Sequence, residues 1–174
     1  LFLSTLILAL YGVVNNQPLI TRNRRVLGLS VVSGFLLAVH FLTWMESLFY
    51  VPVAVSTTVV VAYPLYNVVI DRFLLSERIT RVQYLGFAMG FTSLILFLQP
   101  GCTGVYSLYG VFLALASSLA AAGYFSLGRL ARRTASLLEY VVPAYSTASI
   151  STLIYILVIN GNIYAYSIKT YVYF

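Results

Sequence analysis

The chain has 174 residues, of which 61% are hydrophobic and 8% charged, and its mean hydropathy is +0.95. This composition excludes a water-soluble globular domain, because so few polar residues cannot cover the surface of a folded chain in water. The sequence therefore predicts an all-α polytopic membrane protein whose principal partner is the lipid bilayer.

Six apolar runs of membrane-spanning length follow one another along the chain. They cover residues 1–20, 26–50, 52–70, 79–98, 106–130 and 138–159. A helix of about 20 residues rises about 30 Å, which matches the hydrocarbon thickness of a bilayer. Pro64 lies inside the third run, where it removes a backbone amide and predicts a kink compensated by neighbouring helices or hydroxyls.

The basic residues lie between the apolar runs, and almost all of them are arginines. Arginines accompany the first, third and fifth connections, and none accompanies the second or fourth; they are Arg22, Arg24, Arg25, Arg72, Arg78, Arg81, Arg129, Arg132 and Arg133. By the positive-inside rule, we expect these connections on the cytoplasmic side of the plasma membrane. Topology thus accounts for the net charge of +6, and no nucleic-acid partner is expected.

Motifs that carry enzymatic chemistry are missing from the sequence. The chain has no Gly-rich phosphate loop, and His40 and Cys102 are its only histidine and cysteine, so catalytic triads and metal-ligand clusters are excluded within one copy. We therefore expect neither an enzyme nor a cofactor. A hydrophobic subunit of a membrane enzyme complex stays open as an alternative.

A short internal repeat links the first and sixth runs. Ser-Thr-Leu-Ile occurs at residues 4–7 and again at 151–154, an offset of 147. The two runs cross the membrane in opposite directions, as an odd number of helices per repeat requires. The offset favours two inverted repeats of five helices each.

The order of the polar residues resembles an EamA-type domain of the drug/metabolite transporter superfamily. The residues that carry the resemblance are His40, Trp44, Pro64, Glu77, Arg78, Gln83, Tyr84 and Gly86, with a similar second start at residues 109–115. The resemblance implies a ten-helix carrier with two inverted five-helix halves and a substrate between them near mid-membrane. Residues 1–100 would form the first repeat without its first helix, 101–105 an extracytoplasmic linker, and 106–174 two helices of the second repeat.

Candidate substrate contacts on the second run share one helical face. They are His40, Thr43 and Trp44, which recur at spacings of three and four residues. Since a titratable group in the hydrocarbon is costly, we expect His40 to face protein or a water-filled cavity. It would contact substrate or a proton, or it would be a neutral imidazole satisfied by a neighbouring helix.

On the third run, Ser56, Tyr63 and Asn67 share a face beside Pro64, and Tyr124 is the candidate on the fifth run. They would line the substrate path, or they would join helices by hydrogen bonds. Asp71 and Glu77 are expected at a solvated cytoplasmic rim.

Small residues indicate close helix packing at two places. Gly86 and Gly90 form a GxxxG pair, and small residues recur every four positions from Gly110 to Ala122. Packing within the chain is favoured over a homodimer interface.

The sequence predicts a secondary exporter or permease of small metabolites that works by alternating access. The alternative is a truncated, transport-incompetent membrane protein that serves as a scaffold.

Overall fold

The computed structural model describes residues 1–76, 79–98 and 107–159, and its regular elements there are all helices. The helices are α1 (Phe2–Val14), α2 (Arg24–Ser47), α3 (Val53–Val61), α4 (Tyr63–Leu74), α5 (Arg81–Phe97), α6 (Leu108–Ala131) and α7 (Leu137–Val158). The expected linker at 101–105, the Glu77-Arg78 pair and the tyrosine-rich tail lie outside the described residues.

Four helical rods are long and apolar enough to cross a membrane: α2, the α3–α4 pair, α6 and α7. Helices α1 and α5 are apolar but shorter, with 13 and 17 residues. The all-α polytopic fold is thus confirmed. The six apolar runs correspond to the four long spans together with α1 and α5.

The first run is shorter than predicted, because its helix ends at Val14 and not near Ile20. Asn16 adopts a left-handed conformation with φ of 51°, and the amide of Gln17 donates to the carbonyl of Gly12 at 2.8 Å. This is a Schellman-type end, for which asparagine is the usual substitute for glycine. Pro18 follows, so the helix cannot resume at once.

The third run is broken as predicted, into α3 and α4 with Ala62 between them. Pro64 lies in the first turn of α4 and cannot donate to the carbonyl of Val60, as residue 64 would in a regular helix. The Ser118 hydroxyl of α6 donates to that carbonyl at 3.0 Å. A backbone amide at the end of α3 also donates to the Val60 carbonyl, so the hydroxyl from the neighbouring helix adds a second bond at the proline break.

Capping boxes begin two of the helices. In α7, the Ser136 amide donates to a Glu139 carboxylate oxygen at 2.9 Å, and the Glu139 amide donates to the Ser136 hydroxyl at 3.3 Å. Thr80 and Gln83 make the same exchange at the start of α5. These bonds satisfy amides that have no partner within the helix.

Helices α2 and α6 form the centre of the bundle and pack through small residues. A Cβ at Gly34 of α2 would lie 2.2 Å from the Ala144 carbonyl oxygen of α7, so only glycine permits this approach. Ala114, Ser118 and Ala122 of α6 are fully buried. The small-residue ridge of α6 thus packs within the chain, whereas a homodimer stays a prediction.

The arginine-bearing ends of the helices meet at one end of the bundle. Val26 packs with Ala131 and Tyr140, which joins the start of α2 to the end of α6 and the start of α7. At the opposite end, the rings of Tyr50 and Tyr109 meet edge to face at 4.9 Å. The negative charge of Glu46 raises the pKa of the Tyr50 hydroxyl there. This arrangement agrees with the prediction that the arginine-bearing connections lie on one side of the membrane, and the cytoplasmic orientation stays a prediction.

Candidate substrate-binding site

His40 makes three hydrogen-bond contacts to one residue of the neighbouring helix, Ser117. Its Nδ1 lies 3.1 Å from the Ser117 carbonyl oxygen and 2.8 Å from the Ser117 hydroxyl, and that hydroxyl donates to the His40 carbonyl at 2.9 Å. A carbonyl oxygen only accepts, so all three contacts are favourable when Nδ1 carries the proton. The neutral ring then leaves Nε2 as a hydrogen-bond acceptor.

The ring of His40 lines a cavity of about 490 Å³ between α1, α2, α6 and α7, which we call the His40 cavity. Its aromatic surface comes from Phe41, Tyr124, Phe125 and Tyr145, and Ser4 adds a hydroxyl group. The described lining residues carry no aspartate, glutamate, lysine or arginine. The cavity therefore offers aromatic faces, hydroxyl groups and one imidazole nitrogen, without a fixed charge.

The other two candidates on α2, Thr43 and Trp44, contact protein groups in this conformation. The Thr43 hydroxyl donates to the Val39 carbonyl of its own helix at 2.8 Å. The Trp44 ring stacks on His40 with centroids 6.0 Å apart and packs against the buried Val59 and Val60. Its Nε1 is buried and has no hydrogen-bond partner among the described residues.

Ser56 on α3 is fully buried and bonded to Ser47 of α2 at 2.6 Å between hydroxyl oxygens. This bond joins two helices close to the turn that connects them. Ser56 thus matches the helix-joining alternative in this conformation.

Tyr63 and Asn67 line a second cavity, of about 410 Å³, near the arginine-bearing end of the bundle. The Ser126 hydroxyl of α6 donates to the Asn67 amide oxygen at 3.1 Å, and the Tyr63 ring stacks on Phe125 at 4.8 Å. Asp71 also lines this space, so we call it the Asp71 cavity.

The expectation of a solvated rim is wrong for Asp71. Its side chain is 7% exposed, and one carboxylate oxygen pairs with the guanidinium of Arg129 on α6. The other oxygen, Oδ1, is buried without a partner among the described residues. Asp71 follows Tyr63 and Asn67 at intervals of four, so the same helical spacing that selected those two residues places it on their face.

Phe125 borders both cavities, and sequence reasoning missed it. Its ring meets Tyr124 at 5.0 Å on one side and Tyr63 at 4.8 Å on the other. A phenylalanine in an apolar membrane run carries no polar signal. Its adjacency to Tyr124 is the one clue that the sequence contains.

The structure brings the seven candidates into three locations. His40 and Tyr124 share the His40 cavity, Tyr63 and Asn67 share the Asp71 cavity, and Thr43, Trp44 and Ser56 lie among packed helices. A row of aromatic rings through Tyr124 and Phe125 links the two cavities.

Apolar membrane-length helices that enclose polar cavities define an integral membrane protein of the polytopic α-helical class. A family model described as the EamA-like transporter family matches residues 1–99, which is more than half of the chain. The chain belongs to that family, which confirms the resemblance read from its sequence. It is therefore a member of a family of membrane transporters in the drug/metabolite transporter superfamily. No curated protein and no solved structure matches the chain significantly.

Proposed function

We propose that this chain forms the substrate-binding part of a secondary carrier that moves small metabolites across the plasma membrane by alternating access. The His40 cavity carries this proposal. Helices α1 and α2, from the first predicted repeat, face α6 and α7, from the second, across it. Inverted-repeat carriers bind their substrates at such an interface.

The chemistry of the His40 cavity selects a substrate without net charge. Burying an ion there would cost several kcal/mol, since the described lining offers no opposite charge. Nε2 of His40 accepts a hydrogen bond, so the substrate presents an N–H or O–H group to it. Tyr124, Phe125 and Phe41 provide faces for an apolar or aromatic body. The volume of about 490 Å³ suits a molecule of metabolite size.

Replacement of His40 tests the proposal. In proteoliposomes that contain the full-length protein, we expect His40→Ala to reduce uptake of uncharged metabolites about tenfold, because it removes the acceptor at Nε2. A mixture of neutral metabolites and their charged analogues is supplied outside, and mass spectrometry identifies what enters. Neutral members of the mixture should enter faster than charged ones.

Ser30→Ala is the matched control on the same helix. The Ser30 hydroxyl is buried and bonds the Val26 carbonyl one turn away on its own helix, so uptake should persist. Size-exclusion chromatography verifies that both variants insert and fold. Unchanged uptake by His40→Ala would contradict the binding role and leave the imidazole a packing group bonded to Ser117.

A further inference from the structure

A third cavity lies at the arginine-bearing end of α6 and α7; it shares Phe125 and Arg129 with the Asp71 cavity, and Tyr124 and Phe125 with the His40 cavity. It has a volume of about 330 Å³, and we call it the arginine cavity. Its described lining includes Arg129, Arg132, Arg133, Leu137, Tyr140 and Val141. Helix α6 ends at Ala131 and α7 begins at Leu137, so the short connection between two spans surrounds its mouth.

The lining of the arginine cavity carries an excess of positive charge. Three guanidinium groups line it, and no carboxylate belongs to its described lining. Arg129 forms an ion pair with Asp71 of α4. Glu139 is the acidic residue of α7, and its carboxylate accepts from the Ser136 amide within the capping box. The N-terminal end of α7 adds the positive end of a helix dipole.

The walls of the arginine cavity are apolar. Leu137, Val141 and Phe125 lie beside the arginines. Leu137 and Phe125 are 49% and 43% exposed, so both offer apolar surface to a bound molecule. The site thus combines guanidinium groups near the membrane surface with an apolar wall that continues into the hydrocarbon. A free phosphate ion would bind the guanidinium groups but would leave the apolar wall uncovered.

We infer that the arginine cavity binds the phosphate head group of an anionic phospholipid from the leaflet on the arginine side, with an acyl chain along Leu137 and Phe125. Guanidinium groups bind phosphate oxygens with paired, charge-assisted hydrogen bonds. Basic pockets between transmembrane helices are suited to anionic lipid head groups. This site does not depend on the transport proposal, because it involves neither His40 nor substrate.

Lipid titration of the full-length protein in neutral detergent tests the inference. Native mass spectrometry measures binding of short-chain phosphatidylglycerol and of phosphatidylcholine, and we expect tighter binding of phosphatidylglycerol. Arg132→Gln/Arg133→Gln should weaken phosphatidylglycerol binding by about tenfold or more, since each lost arginine removes an attraction to the head group. If the double variant fails to fold, Arg132→Gln carries the test, with a smaller loss in the same direction.

Arg24→Gln/Arg81→Gln is the matched control, because it removes two exposed arginines that do not line the cavity. It should bind phosphatidylglycerol like the unaltered protein. Equal weakening in both double variants, or equal affinity for the two lipids, would overturn the inference in favour of general surface charge. Full displacement of the lipid by inorganic phosphate alone would also overturn it, and would assign the cavity to a soluble anion.

Discussion

At the level of single residues, Asp71 and Arg129 form a pair of unequal burial between α4 and α6. The Asp71 side chain is 7% exposed and the Arg129 side chain 47%. A carboxylate in that position depends on its partner, whereas an exposed guanidinium can turn to water. The two partners should therefore respond differently to replacement.

We predict that Arg129→Gln destabilises the protein by about 2 kcal/mol, because it removes the guanidinium that pairs with the buried Asp71 carboxylate. This value allows for the solvent screening of the half-exposed arginine. Asp71→Asn should cost about 1 kcal/mol or less, and Asp71→Asn combined with Arg129→Gln should recover most of the loss. Equilibrium unfolding in mixed micelles measures all three. Equal losses in the two single variants would contradict the unequal dependence of the two partners on each other.

His40 illustrates how far sequence reasoning reached at this level. Its chemistry required a protein partner or a cavity, and the structure provides both, since Nδ1 is bonded to Ser117 and the ring lines the His40 cavity. The partner itself could not be predicted. Ser117 is one of several small residues on α6, and the rotation of α6 about its own axis decides which of them faces α2.

At the level of elements, the break between α3 and α4 depends on a contact with a third helix. The sequence predicted it from Pro64, and the Val60 carbonyl accepts from the Ser118 hydroxyl as well as from a backbone amide at the end of α3. Pro143 lies inside α7, which continues unbroken from Leu137 to Val158. Proline alone does not determine where a membrane helix is interrupted, because the surrounding helices also decide which backbone groups are satisfied.

Replacement of the Ser118 hydroxyl should weaken this junction. We expect Ser118→Ala to lower the free energy of unfolding by about 1 kcal/mol, the usual size of a hydrogen bond between membrane helices. Ser146→Ala is the control, since the Ser146 hydroxyl bonds the Val142 carbonyl of its own helix at 2.8 Å. Thermal unfolding in the same detergent compares the two variants. A loss in Ser146→Ala as large as that in Ser118→Ala would contradict the role given to the interhelical bond.

The end of α1 shows a different limit of sequence reasoning. Hydropathy averaged over residues 1–20 favoured one long span, although Asn16 and Pro18 already marked a stop within it. Local backbone geometry outweighed apolar composition, because a left-handed residue followed by proline terminates a helix in any solvent. The length of the first helix was overestimated because the averaged hydropathy was given more weight than these two local stop signals.

At the level of the whole molecule, composition determined the class of fold, and the arginine pattern predicted which ends of the helices lie together. Helix neighbours were not predictable, because lipid chains are as apolar as leucine and a hydrophobic residue does not reveal which surface it meets. Phe49 and Phe73 are both 82% exposed, whereas Val59 is fully buried. Small residues such as Gly34 are the better signal, since they permit the close approach of α2 and α7.

The shared location of the arginine-bearing ends leads to a prediction for the protein in its membrane. In a Cys102→Ser background, Arg24→Cys and Arg132→Cys should react with a membrane-impermeant maleimide from the cytoplasmic face. Phe49→Cys, in the connection between α2 and α3, should react from the opposite face. Val59→Cys is the control and should stay unreactive in intact vesicles, because Val59 has no exposed surface. Right-side-out and inside-out vesicles distinguish the faces. Labelling of Arg24→Cys and Arg132→Cys from opposite faces would contradict the packing of Val26 against Ala131, whereas labelling of both from outside would reverse the orientation and preserve the fold.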